Sequence, residues 1–296
     1  MIDRQTYTFS RADELLAAAA SGDPAVVADI ARRDLRFAAD GVDAAEVCGV
    51  LLRGGGHTPF AEDNPWNVSH DQDLTEMLAR IWAPVAAELP EFVGRLSREV
   101  MGLVLVRVEG EYRLGYIAFK PSYRSTTRAP STVTDLPSVA PEGRLHWFWG
   151  GPPEELDTVG SGSTAYVLPP PVRTLASVHA SLTAPTAEWA MGTGSLDVFV
   201  GDSLREQFAQ WRETDEDDED DDTEYAYGDD DFSDYDNYRL LASYEPGMQW
   251  SILVPPGADG RCLVSTFDHQ DLNVFATAPF WEWFDDIATD ILFGSA

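Results

Sequence analysis

Met101–Phe119 reads MGLVLVRVEGEYRLGYIAF, and this stretch decides the fold. Val, Leu, Tyr, Ile and Phe crowd two short runs that meet at Gly110-Glu111. A glycine between two β-rich runs predicts a hairpin. Upstream, apolar residues recur at helical spacing instead. Ser10 stands where a cap would precede Leu15 and Leu16. Asp23-Pro24 places a cap and a first-turn proline before Val26, Val27 and Ile30. Asp43 opens a further segment through Val47, Val50 and Leu51, read as a helix that Gly54 closes. Ser69-x-x-Gln72 fits a capping box before Leu74, Met77, Leu78, Ile81 and Trp82. Pro90 starts a short helix with Phe92, Val93 and Leu96.

Downstream, residues 120–142 are rich in Pro, Ser and Thr and read as a long loop. RLHWFWG returns as a strand, with His146 and Phe148 on one face and Trp147 and Trp149 on the other. Residues 151–163 have linker composition, so a boundary is expected there. The second half opens on YVLPPPVRTLASVHASL, read as a helix with Val172, Leu175, Ala176, Val178 and His179 on one stripe. SLDVFV reads as a strand, and Asp202 caps SLREQFAQWR. YRLLASYE, QWSILVPP and RCLVSTFD are strand-like and separated by plausible turns. LNVFA reads as a short edge strand, and APFWEWFDDIATDIL as a closing aromatic helix. A helix, a meander and a closing helix imply an α+β unit. The fold class expected for the whole chain is α+β: residues 1–150 a helical unit with a β-hairpin, residues 164–296 an antiparallel sheet with flanking helices.

Charge bounds the function. The formal charge is −31, from 20 Lys+Arg against 51 Asp+Glu. Fifteen of those carboxylates stand in the 24 residues from Glu213 to Asp236, ETDEDDEDDDTEYAYGDDDFSDYD, with no Lys or Arg among them. Like charge at that density outweighs the little apolar surface present, so a solvated insertion is expected. A pI near 4.2 argues against nucleic acid and against anionic membranes, because phosphate contacts need Lys and Arg. The same field draws a basic partner inward. Solvating tails are poor in aromatics, yet here Tyr225, Tyr227, Phe232, Tyr235 and Tyr238 are interleaved with acid. That pattern suits docking on a basic, partly apolar surface, and the residues expected to touch the partner are Asp217, Asp218, Glu219, Asp220, Asp221, Tyr225, Tyr227 and Phe232. A simpler reading has Tyr238 and Tyr235 rejoin the sheet. The start of the chain lacks the pattern of a signal peptide, and no apolar run is long enough to span a membrane, so the cytoplasm is the expected location.

The second half resembles the SMI1/KNR4 superfamily, also called SUKH. The resemblance lies in VLPPPVRTLASVHASL, LLASYEPGMQWSILVPPGADGRCLVSTFDHQ and APFWEWFDDIATDIL, and covers residues 164–296. The family's usual Asn-Gly after the first helix is replaced by Ser181-Leu182-Thr183, and the acidic insertion is extra. The resemblance implies a binding module, not an enzyme. Many bacterial members are thought to be immunity proteins that neutralise polymorphic toxins, often basic nucleases; fungal members are regulatory hubs. An acidic partner covering a nuclease's basic surface is physically sensible.

Motifs for chemistry are sparse. His57, His70, His146, His179 and His269 form no HExxH. His70-Asp71-x-Asp73 reads as a polar helix start before it reads as a metal site, and His179 as a hydrogen-bonded core histidine. Asp268 and His269 alternate faces of a strand and make a poor base–orienter pair. Gly54-Gly55-Gly56 lacks a following GK[ST]. Gly192-Thr193-Gly194 has Asp197 where a dinucleotide fingerprint needs glycine. Cys48, on the expected helix, and Cys262, on a strand, read as buried hydrophobes. Consecutive carboxylates in 215–222 lack the alternation and glycine of a calcium loop. No cofactor and no metal are therefore expected. The leading expectation is a non-enzymatic protein that binds a basic partner. Two others stand beside it: a regulatory scaffold acting through residues 1–150, and a hydrolase with dispersed residues around His146 or His57.

Overall fold

The computed structural model describes residues 13–38, 46–108, 110–122, 125–155, 157–159, 166–183, 195–196, 238–244, 249–255, 260–268 and 274–293. The acidic segment 213–236, the helix expected after Asp202, His269 and the cap at Ser10 lie outside them.

The hairpin forms as the sequence predicts. Strand β3 (Val100–Val108) pairs antiparallel with β4 (Glu111–Pro121), with Val108 opposite Glu111. Gly110 makes the turn at φ +89, a left-handed conformation that suits glycine. On one side β4 continues to β5 (Gly143–Gly150); on the other, β3 pairs with β1 (Glu46–Leu52) and β1 with the two-residue β2 (His57–Thr58). The two-residue strands β8 (Leu182–Thr183) and β9 (Ser195–Leu196) complete the order β2-β1-β3-β4-β5-β8-β9. A separate two-stranded ribbon joins β6 (Thr158–Val159) to β7 (Tyr166–Val167).

Strand β1 corrects a helical expectation for Asp43–Leu51. VCGVLL is a nearly continuous apolar run, and a strand buried on both faces has the same signature as a short buried helix. Pairing with β3 decides between them. Gly54 accordingly closes no helix: at φ +61 it turns the chain from β1 toward β2. Cys48 sits on a strand, at a β-bulge between Val47 and Gly49. The bulge reverses which residues face which side: Val47 packs with one core layer, and so do Val50 and Leu52 beyond it.

Both faces of the sheet are covered. One face carries Val50, Leu52, Val104, Val106, Ile117, Phe119, Leu145, Trp147 and Trp149. Over it lie helix α1 (residues 13–20), helix α2 (Pro24–Ala38) and the 3-10 turn Val133–Ser138. That turn, with another at Ala140–Glu142, gives local structure to part of a segment expected as loop. Pro24 begins α2 as expected, and Asp23 Oδ1 accepts the Ala25 N–H at 2.9 Å.

The opposite face carries Leu51, Leu103, Leu105, Leu114, Tyr116, Ala118 and Phe148. It is covered by α3 (Leu74–Ile81), α4 (Pro90–Glu99), α5 (Pro170–Ala176) and the C-terminal elements. The cap of α3 is Asp73, whose side chain accepts the Thr75 N–H at 2.7 Å, so the Ser69–Gln72 box is not the cap.

The second sheet is a four-stranded antiparallel meander, β10 (Arg239–Tyr244), β11 (Gln249–Val254), β12 (Leu263–Asp268) and β13 (Val274–Pro279), in sequence order. The closing helix has three parts: α6 (Phe280–Trp283), a π turn Phe284–Ala288 and α7 (Thr289–Phe293). It bridges the sheets. Trp283 Nε1 donates to Ser251 Oγ of β11 at 3.2 Å, while the Phe293 ring meets Phe148 of β5 edge-on at 5.4 Å. Leu241, Leu253 and Val264 share one apolar cluster with Trp82, Phe92 and Phe148. That core runs across the boundary expected at 151–163.

Asp285, in the π turn, performs a long-range cap. Helix α4 has Leu89 at its cap position and no side-chain cap of its own. Asp285 Oδ1 accepts the Phe92 N–H at 2.7 Å and Oδ2 the Glu91 N–H at 3.1 Å. A carboxylate here satisfies two orphan donors and suits the positive end of the helix dipole. Asp285→Ala is expected to cost about 1 kcal/mol and to lower Tm by roughly 2–4 °C, with Asp285→Asn losing less. An unchanged Tm for Asp285→Ala would show that water replaces the cap without cost.

Candidate functional site

Four segments separated in sequence enclose an open cleft of about 500 Å³. Helix α2 supplies Ala25, Ala28 and Arg32, spaced to share one helix face. Strand β1 supplies Glu46, Val47 and Cys48; β2 and the chain after it supply Thr58, Pro59, Phe60, Ala61 and Asp63. The β3–β4 hairpin adds Arg107 and Tyr112. The floor is apolar because α2 presents small residues and the Phe60 ring lies against Gly49. A Cβ at Gly49 would stand 2.5 Å from Phe60 Cδ1, so only glycine admits the ring.

The rim is charged and held in place. Register pairs Glu46 with Arg107, and the Arg107 Nε–H donates to Glu46 Oε2 at 3.1 Å. The guanidinium stands 5.7 Å from the centre of the Tyr112 ring. The Tyr112 hydroxyl donates to Asp63 Oδ1 at 2.6 Å. That hydrogen bond holds the Asp63 carboxyl below its ordinary range and, in return, raises the phenol. Cys48 points its thiol at the Glu46 carbonyl, 3.5 Å away. Burial, then the Glu46 charge, push that thiol up, which keeps it protonated and weakly nucleophilic. Burial likewise pushes Cys262 up to about 11.

The histidines lie elsewhere. His179 sits just past the end of α5, fully buried. Its Nδ1–H donates to the Gly151 carbonyl at 2.9 Å, and its Nε2 accepts the Tyr116 hydroxyl at 2.6 Å. Tyr116 in turn accepts the Trp82 indole N–H at 3.2 Å. This closed chain fits the core histidine expected from sequence. His146 is buried on the Phe148 face, as the strand alternation predicts. Its Nε2–H donates to the Leu292 carbonyl, and its Nδ1 has no partner among the described residues. His57 and His70 are not buried, and their rings stack at 5.0 Å with 17° between planes. An imidazole lone pair lies in the ring plane, so stacked rings do not aim at one ion. His70 Nε2 also stands 3.5 Å from Asp71 Oδ1. Among the described residues no group of three His, Cys, Asp or Glu is placed to hold a metal ion.

The partner-contact residues expected from the sequence, Asp217, Asp218, Glu219, Asp220, Asp221, Tyr225, Tyr227 and Phe232, all lie outside the described residues. The sequence pattern does not reveal the cleft. Its charged residues come from four segments with no shared motif, and one of them, Glu46, falls in a stretch whose apolar spacing suggests a helix. No family model matches the chain, and no curated protein or solved structure matches it.

Burial lowers His179 to about 4 and His146 to about 3. Between those values and about 6.5, the unfolded chain binds protons that the folded chain refuses. Stabilisation from these two groups is therefore full above about pH 6.5 and lost as pH falls through the window, at about 1.4 kcal/mol per unit for each. In an NMR titration the imidazoles of His146 and His179 are expected to stay neutral at pH 5; ordinary titration of both would refute the buried placement. The packing has its own check. A Cβ on Gly150 would stand 2.1 Å from His179 Nδ1, so Gly150→Ala is expected to cost about 2 kcal/mol in denaturant unfolding.

Proposed function

We propose that this chain is a non-enzymatic binding protein that engages a cationic protein, most concretely an immunity protein that occludes a basic toxin in the cytoplasm. One observation carries the reading: 15 carboxylates in the 24 residues from Glu213 to Asp236, inside a chain of charge −31. A halophile-like surface would spread its acid along the chain, whereas this one concentrates about half of its excess in one stretch. Concentrated charge raises the association rate with a basic surface and excludes an anionic substrate from it. The interleaved Tyr225, Tyr227 and Phe232 add apolar anchors.

Two features support the reading from the described residues. His179 spends both ring nitrogens on core contacts and His146 its Nε2, and burial raises both cysteine thiols, which keeps them protonated. Among the described residues α5, the β10–β13 meander and the aromatic closing helix follow in the order of the three stretches that carry the SMI1/KNR4 resemblance, with β8 and β9 joining the first sheet between them. No described helix is long and apolar enough to cross a membrane.

Immobilised full-length protein is expected to capture a basic protein from the source cell at about 50 mM salt and to release it by about 500 mM. Removal of residues 213–236 is expected to abolish capture while circular dichroism stays unchanged. Capture that is indifferent to salt, or that survives the deletion, overturns the proposal.

A further inference from the structure

We propose that the cleft between α2 and β1 is a binding site for a small zwitterion of the α-amino-acid class, either a free amino acid or a short peptide. Four ionised side chains line the cleft, and they are not equivalent. Glu46 and Arg107 neutralise one another through a direct ion pair. Asp63 accepts its hydrogen bond from a neutral phenol and forms no direct ion pair among the described residues. Arg32 is exposed and, among the described residues, has neither a hydrogen-bond nor an ion-pair partner. In a chain with 20 basic and 51 acidic residues, a cation left single at a cleft is unexpected.

Arg32 stands on the helix wall and Asp63 on the wall formed by the chain after β2. They form no ion pair with each other. Among the described residues the cleft thus offers one cation and one anion that are not ion-paired, from two different segments, beside the apolar Val47 and Phe60. A guanidinium matches a carboxylate in shape and charge, and a carboxylate accepts from an ammonium. A ligand carrying both groups complements both segments of the lining. The apolar floor then receives its side chain. The volume lies within the usual range for small-molecule sites, roughly 300–1,000 Å³. On the Asp63 side little ordering is needed on binding: Tyr112 is tied to Asp63 and Arg107 to Glu46 before any ligand arrives.

Calorimetry of the full-length protein against the twenty free α-amino acids and a set of di- and tripeptides tests the site. At least one is expected to bind, and the two sets separate a free amino acid from a peptide terminus. The matching compound lacking the ammonium, and the one lacking the carboxylate, are each expected to bind about tenfold or more weakly. Arg32→Ala and Asp63→Asn are expected to weaken binding to a similar degree; Asn retains an acceptor for Tyr112, so the wall is preserved. Arg128→Ala, a change outside the cleft, is expected to leave affinity unchanged. Cys48 is an independent reporter, because its alkylation is expected to slow when the ligand is present while that of Cys262 does not. Failure of every amino acid and peptide to bind overturns the proposal. So does equal binding of the singly charged analogues, or binding that ignores both Arg32→Ala and Asp63→Asn.

Discussion

The middle of the β3–β4 hairpin is dry on both faces, and the architecture of the molecule is a consequence of that constraint. Leu103, Leu105, Leu114 and Tyr116 point to one side, and Val104, Val106, Ile117 and Phe119 to the other, all fully buried. A hairpin of this kind is insoluble unless each face finds a cover. The first helices meet one face. The other needs α3, α4 and α5 together with the chain's last third. The two halves of the sequence therefore contribute to one hydrophobic core.

The closing helix ties this arrangement together. Phe284 and Phe293 approach the Phe92 ring edge-on at 5.4 and 5.5 Å, a favourable geometry for aromatic pairs. Trp283 reaches the meander from the same helix. The π turn sits between these anchors, and the extra residue in its ring shifts the phase of α7 relative to α6. Asp285 occupies that turn and faces the bare start of α4, so apolar packing and a polar cap act at one junction. A carboxylate 194 positions from Glu91 supplies what Leu89 at the cap position cannot.

The two functional readings differ in how their charge is arranged. The acidic segment is a dense, same-sign run whose effect is long-ranged and falls with salt. The cleft holds few charges, mixed in sign, with Asp63 held by Tyr112 and Glu46 by its register partner Arg107. A mixed-sign site acts at contact distance and discriminates by geometry. The first suits a macromolecule with a basic face, and the second a molecule of a few heavy atoms. Neither depends on the other.

Local signals are strong where one residue dictates backbone geometry. Gly110 at the hairpin turn, Pro24 and Pro90 at helix starts, and the in–out alternation of His146-Trp147-Phe148-Trp149 are all readable from the chain alone. The meander is readable too, because four β-rich runs in succession pair most simply with their neighbours. Signals fail where pairing or distance decides. VCGVLL becomes β1 only because β3 offers an edge, and the α3 cap falls to Asp73 only because the helix starts at Leu74. The cleft is not legible at all: Arg32, Glu46, Asp63, Arg107 and Tyr112 have no common spacing. Composition and periodicity are therefore enough for the α+β class, the strand-rich centre and the acidic balance. Long-range packing had to establish that both sheet faces draw covers from distant parts of the chain, and that four segments meet at a charged cleft. Such meetings depend on register and contact between residues far apart in sequence, which no local pattern encodes.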